Sequence, residues 1–127
     1  MSKLLIVDDE TDVREFAANF FRKRKIETST AASGEEALEM IKKDKPDLVL
    51  LDIRMEGMNG IQALEEIKKY DPAISVIMVT GTKPEENESY NKCRQLGACD
   101  YVHKPLKLDE LEQVVLNALK PVVKNPT

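Results

Sequence analysis

The sequence is poor in the residues from which most metal centres and covalent frameworks are built: two cysteines and one histidine in 127 residues. Cys93 and Cys99 give no disulfide framework and no zinc spacing, and free thiols of this kind suit a reducing compartment. His103, at a strand end, reads as structural or solvated. Long apolar runs are absent too, and none approaches the roughly 18 residues a membrane span requires. The opening MSKLLIVDDE reaches acids after only a short apolar run, which excludes a secretory signal. Basic residues are not in excess: 19 Lys and Arg against 23 Asp and Glu give a formal charge of −4. A duplex DNA binder needs a cationic face to release counterions, so direct nucleic-acid binding by this chain is not expected. Those absences point to a cytoplasmic chain that is neither membrane-bound nor nucleic-acid-bound.

What is present is a foldable composition, 42% hydrophobic and 33% charged, in a length that suits one core. Short apolar runs at Leu4–Val7, Leu48–Leu51 and Ile74–Val79 are nearly continuous Leu, Ile and Val, as in strands covered on both faces. Thr28–Ala32 and Tyr101–Val102 are weaker candidates. Between them, Val13, Phe16, Ala17, Phe20 and Phe21 recur at helical spacing. So do Leu38 and Ile41, then Ile61, Leu64 and Ile67, and finally Leu111, Val114, Val115, Ala118 and Leu119. The stretch near 85–96 is the weakest helix, offering only Tyr90, Cys93 and Leu96 to a core. Ser33-Gly-Glu-Glu36 has the form of a capping box, Asp12-x-x-Glu15 resembles another cap, Pro84 fits a first turn and Gly97 a helix end. The basic cluster Arg22–Lys25 reads as the solvated end of the first helix. Pro121 stops the last helix, so the domain is expected over 1–120, with 121–127 a tail or the start of a linker. Five alternating β-α units predict an α/β fold: a doubly wound parallel sheet with helices on both faces and right-handed crossovers.

In a parallel sheet all strands finish on one edge, where ligands bind. The residues that follow four of the runs are Asp8-Asp9-Glu10, Asp52, Thr80 and Lys104. Clustered carboxylates repel, so they must bind protons, pair with cations or recruit a metal. A hard, oxygen-ligated ion such as Mg²⁺ fits, with Mn²⁺ as a substitute. Thr80 can donate a hydrogen bond to a phosphate oxygen and Lys104 can neutralise another. One carboxylate remains as nucleophile, and phosphoryl transfer needs little beyond positioning and charge neutralisation. Each residue alone has a plainer explanation. Asp8 and Asp9 suit a helix cap, Asp52 and Thr80 suit turns, and Lys104 suits solvent. Four separate loops delivering the right groups to one edge outweigh those explanations.

The motifs LLIVDDE, LVLLDIRMEGMNG, VIMVTG and GACDYVHKP resemble, in order, the receiver domains of two-component response regulators. The resemblance covers about the whole chain and implies a flavodoxin-like five-stranded sheet of strand order 2-1-3-4-5. It implies that Asp52 is the phosphoacceptor, that Asp9 binds the metal with Asp8 beside it, and that the Arg54 carbonyl is the third protein ligand. Thr80 and Tyr101 match the switch residues and Lys104 the phosphate-binding lysine, with a cis Lys104–Pro105 peptide expected. Arg54, Glu56 and Thr82 fall where the phosphoryl lifetime is tuned. Glu56 stands where the family usually has proline, Leu106 replaces a more usual Phe, and the polar KPEENESYNK stretch departs from the pattern around the fourth helix. The implied partners are a histidine kinase or phosphotransfer protein and a downstream protein or fused output domain, with a phosphorylation-dependent homodimer a further expectation. Nothing marks His103 as a phosphocarrier. The chain is expected to be no enzyme beyond self-catalysed phosphoryl transfer and slow autodephosphorylation.

Two rivals remain at this point. A small Mg²⁺-dependent phosphatase with an Asp nucleophile resembles Asp-x-Asp at its first strand, whereas Asp8 and Asp9 are adjacent here. A degenerate receiver serving only as an interaction module would not need the intact acid, Thr and Lys set. The residues do not decide between a single-domain regulator and an excised receiver.

Overall fold

A computed structural model describes residues 2–55, 57–80, 88–103 and 107–119. Strands and helices alternate strictly: β1 (Lys3–Val7), α1 (Thr11–Arg22), β2 (Glu27–Ala31), α2 (Gly34–Lys43), β3 (Leu48–Asp52), α3 (Gly60–Tyr70), β4 (Ser75–Thr80), α4 (Glu88–Gln95), β5 (Asp100–His103) and α5 (Leu108–Leu119). The five strands are all parallel in the order β2-β1-β3-β4-β5. This is the flavodoxin-like arrangement the sequence implied, and its chain crosses from one face to the other as strand order reverses at β1.

Strand alternation sorts the apolar runs onto two faces. Leu5, Val7, Val49, Leu51, Val76 and Met78 pack under α2, α3 and α4 with Ile41, Leu64, Ile67 and Cys93. Leu4, Ile6, Leu48, Leu50, Ile77 and Val79 face α1 and α5 with Phe21, Leu111 and Val115. Cys93 is α4's buried anchor, and burial pushes its thiol up to about 11, so it serves as a packed apolar group.

The phase of α1 differs from the pattern read along the sequence. Ala17, Ala18 and Phe21 are buried, whereas Phe16 is 56% exposed. Two stripes overlap in this helix, and the small Ala17–Ala18 pair lets the backbone approach the sheet, turning Phe16 outward. The basic cluster after it is exposed, as expected, while two of its side chains also make contacts. Arg22 donates to the Thr28 carbonyl at 3.2 Å, and Arg24 lies over the Phe20 ring and pairs with Glu112 of α5. Lys25 adopts φ 63°, closing the end of α1 with the Ile26 amide on the Phe21 carbonyl.

The helix punctuation also shifts. Ser33 caps α2 by accepting the Glu36 amide, but the Glu36 carboxylate takes the Ala32 amide, so the box is only half closed. A full box occurs at α3 instead, where Asn59 and Gln62 each accept the other's backbone N–H. Gly97 ends α4 with φ +100°, a conformation that requires glycine, and the Ala98 amide bonds back to the Cys93 carbonyl. Among the described residues, no helix is long and apolar enough to cross a membrane.

Candidate functional site

Register brings the acids level. Val7 pairs with Leu51, so Asp8, one residue on, stands beside Asp52 on the neighbouring strand. Asp52 in turn pairs with Val79, and Thr80 follows at the end of β4. Adjacent strands lie about 4.8 Å apart, which fixes the spacing of whatever the strand ends carry. Asp8, Asp9 and Asp52 accordingly place carboxylate oxygens all within 4.8 Å of one another. Asp8, Asp52 and Thr80 are buried, whereas Asp9 is exposed.

Each turn holds its acid differently. The Asp8 amide donates to the Ala31 carbonyl at 3.2 Å, and the Asp8 carboxylate accepts the Glu10 N–H at 2.9 Å. The helix-cap role weighed for Asp8 and Asp9 is not what the structure shows: the Asp8 carboxylate closes its own turn instead, and this coexists with membership of the acid cluster. Helix α1 begins at Thr11 with Glu10 at its N-cap and no side-chain cap, so Asp12 lies in the first turn and does not cap as expected. Asp52 is the last residue of β3, and its carboxylate accepts the Arg54 N–H at 3.2 Å. The Ile53 amide continues the ladder to Val79, and its carbonyl accepts the Gly60 N–H at 2.8 Å.

Gly60 has a role that its sequence context did not announce. A Cβ there would sit 2.2 Å from the Asp52 carbonyl oxygen and 2.6 Å from the Ile53 Cα. The start of α3 thus presses directly on the backbone that carries Asp52. Met55 is buried in the core of that face, as expected for packing.

The opposite side of the crevice is formed by β4 and β5. Thr80 pairs with His103 across the two strands, and Tyr101 lies half-buried with its ring 5.6 Å from that of His103. The His103 Nε2 is buried and has no hydrogen-bond partner among the described residues, so the histidine is not simply solvated. Lys104, Pro105, Leu106, Glu56 and Thr82, together with the packing of Tyr90, lie outside the described residues or side chains.

Three hard oxygen donors, two buried and one facing solvent, suit a divalent ion such as Mg²⁺, which takes oxygen ligands and retains several waters. Residues 4–116 match the model of the response regulator receiver domain. The chain belongs to that family. The receiver is 38% identical over 113 residues to sporulation initiation phosphotransferase F of Bacillus subtilis, covering 89% of this chain and 90% of that protein. It is 40% identical over 120 residues to the regulatory protein AtoC of Escherichia coli; that match covers 94% of this receiver but only 26% of AtoC. The Thermotoga maritima response regulator TrrA, solved in complex with Mg²⁺ and BeF, superposes with a TM-score of 0.81 at 33% identity over 94% of this chain and all of that one. As a receiver domain the chain is a signalling phosphoacceptor module of two-component systems, and its acid cluster fits the phosphoacceptor site of such a module.

Proposed function

We propose that this receiver accepts a phosphoryl group on Asp52, drawn from a histidine kinase or phosphotransfer protein or from a small donor such as acetyl phosphate. The convergence of Asp8, Asp9 and Asp52 at the ends of two strands supports the reading most strongly. An Asp52 carboxylate oxygen attacks phosphorus as the bond to the donor's imidazole nitrogen or acetate oxygen breaks, leaving an acyl phosphate. The metal, when bound by Asp9, Asp52 and the Arg54 carbonyl with Asp8 behind them, supplies charge neutralisation to the transferring phosphoryl oxygens. Mn²⁺ is the substitute we expect to work.

Thr80, buried at the end of β4, is assigned to donate to the new phosphoryl group, and Lys104 is assigned the neutralising cation. Drawing Thr80 inward frees space for Tyr101, which lies one strand away, and alters the surface of α4, β5 and α5. A shift from 1:99 to 99:1 between the two states needs about 5.5 kcal/mol of differential interaction. Arg54, Glu56 and Thr82 are assigned to the path of the hydrolytic water. We assign the receiver to residues 1–120, the cytoplasm as its compartment, and a downstream protein or fused output domain as its reader. Phosphorylation-dependent pairing of two copies belongs to the same proposal.

Incubation with acetyl phosphate and Mg²⁺ is expected to add one phosphoryl group per chain, and Asp52→Asn is expected to abolish it. Stoichiometric labelling that survives Asp52→Asn overturns the assignment. Turnover of a phosphate ester beyond one equivalent favours the phosphatase instead.

A further inference from the structure

The acid pair at the end of β1 sits on a turn whose following helix has no side-chain cap. The Asp8 carboxylate ties the turn to the Glu10 amide, and a second side chain reaches it from the helix: Arg14, one turn into α1. Its Nη1 donates to the Asp8 carbonyl at 2.8 Å, and its Nη2 makes a longer contact to the Thr11 hydroxyl at 3.4 Å. The Arg14 amide donates to the Glu10 carbonyl at 3.0 Å, so backbone and side chain of one residue close on the same loop. Arg14 is half-buried and forms no ion pair among the described residues.

We infer that Arg14 is a positioning residue for the acidic site: it clamps the Asp8–Asp9 peptide and so sets where the Asp9 carboxylate points. The Asp8 carbonyl belongs to the planar peptide that also contains the Asp9 amide. Holding that oxygen fixes the plane, and with it the exit direction of the exposed Asp9 side chain. Asp8 is held independently, since its carboxylate is tied to the Glu10 amide and its own amide to Ala31. A planar fork presents two donors in fixed geometry, which a lysine does not reproduce.

The inference rests on the metal-binding reading above, and the test separates the two. In the metal-free protein, Arg14→Ala is expected to speed hydrogen exchange of the Asp9 amide, because the peptide that carries it is released. Mg²⁺ affinity, read by titration, is expected to fall about tenfold, as typically follows loss of an outer contact that orients a ligand. Arg14→Lys keeps the charge and loses the fork, and is expected to recover only part of that affinity; it carries the test if the alanine variant does not fold. Full rescue by lysine assigns the effect to charge and overturns the clamp. Wild-type exchange and affinity in Arg14→Ala also overturn it, while leaving the site reading intact. Failure of the unaltered protein to bind Mg²⁺ overturns the site reading and the inference together.

Discussion

The two turns that deliver the carboxylates solve the same problem by different means. After β3, the loop is closed from its far end: α3 starts with a complete capping box, Gly60 lies so close to the Asp52 carbonyl that no Cβ fits, and the Asp52 carboxylate accepts the Arg54 N–H. After β1, Asp8 and Asp9 are set by side chains: an aspartate that bonds its own loop and an arginine that reaches back from α1. The first turn is pressed against backbone that leaves no room for a Cβ, whereas the second leans on one side chain from α1.

The comparison is broken most severely at Gly60. Gly60→Ala drives a methyl group into the Asp52 carbonyl and Ile53, and no flexible side chain can yield there. The expected loss is roughly 3 kcal/mol or more, seen as a drop in urea midpoint, since overpacking against backbone cannot relax cheaply. A smaller effect is expected from Asn59→Ala, which removes one arm of the box at α3 and should cost about 1 kcal/mol. Near-wild-type stability in both variants would show that the β3 turn is no more tightly fixed than its counterpart.

The smallest effect runs the other way. Helix α1 starts at Glu10 without a side-chain cap, so Glu10→Ser offers the missing acceptor and should raise stability by about 0.5 kcal/mol, measured by thermal melting. An unchanged or lowered midpoint would mean that the Arg14 and Asp8 contacts already satisfy what a cap would provide.

The strand ends were legible in the sequence because three runs are apolar without period and stop abruptly at acids or a hydroxyl. Asp52 at the end of LVLL announced itself in that way, and register alone then brought it beside Asp8. Arg14 left no such mark, because its main partner is a backbone carbonyl that any residue could supply. Gly60 left no mark either, since close approach of two backbones is a property of three dimensions. The Asn59-x-x-Gln62 box has a sequence form, yet it followed a glycine-rich loop that drew attention to turns. Helix α1 misled for another reason: Phe16 and Phe20 compete with Ala17 and Phe21 for the buried face, and periodicity cannot choose between adjacent stripes. The crevice wall at Tyr101 and His103 was placed by the order of the strands, but the sealed Nε2 of His103 was not foreseeable from a lone histidine at a strand end.

The central claim is that the β1 and β3 turns form one site for a metal and a phosphoryl group. Titration of the isotopically labelled protein with Mg²⁺, followed by amide NMR, tests it most directly. The account predicts that the Asp9 and Glu10 amides and the Ile53 and Arg54 amides shift together with one dissociation constant, and that Asp52→Asn suppresses the response in both turns. Shifts confined to one turn, or two turns titrating with different constants, would contradict it.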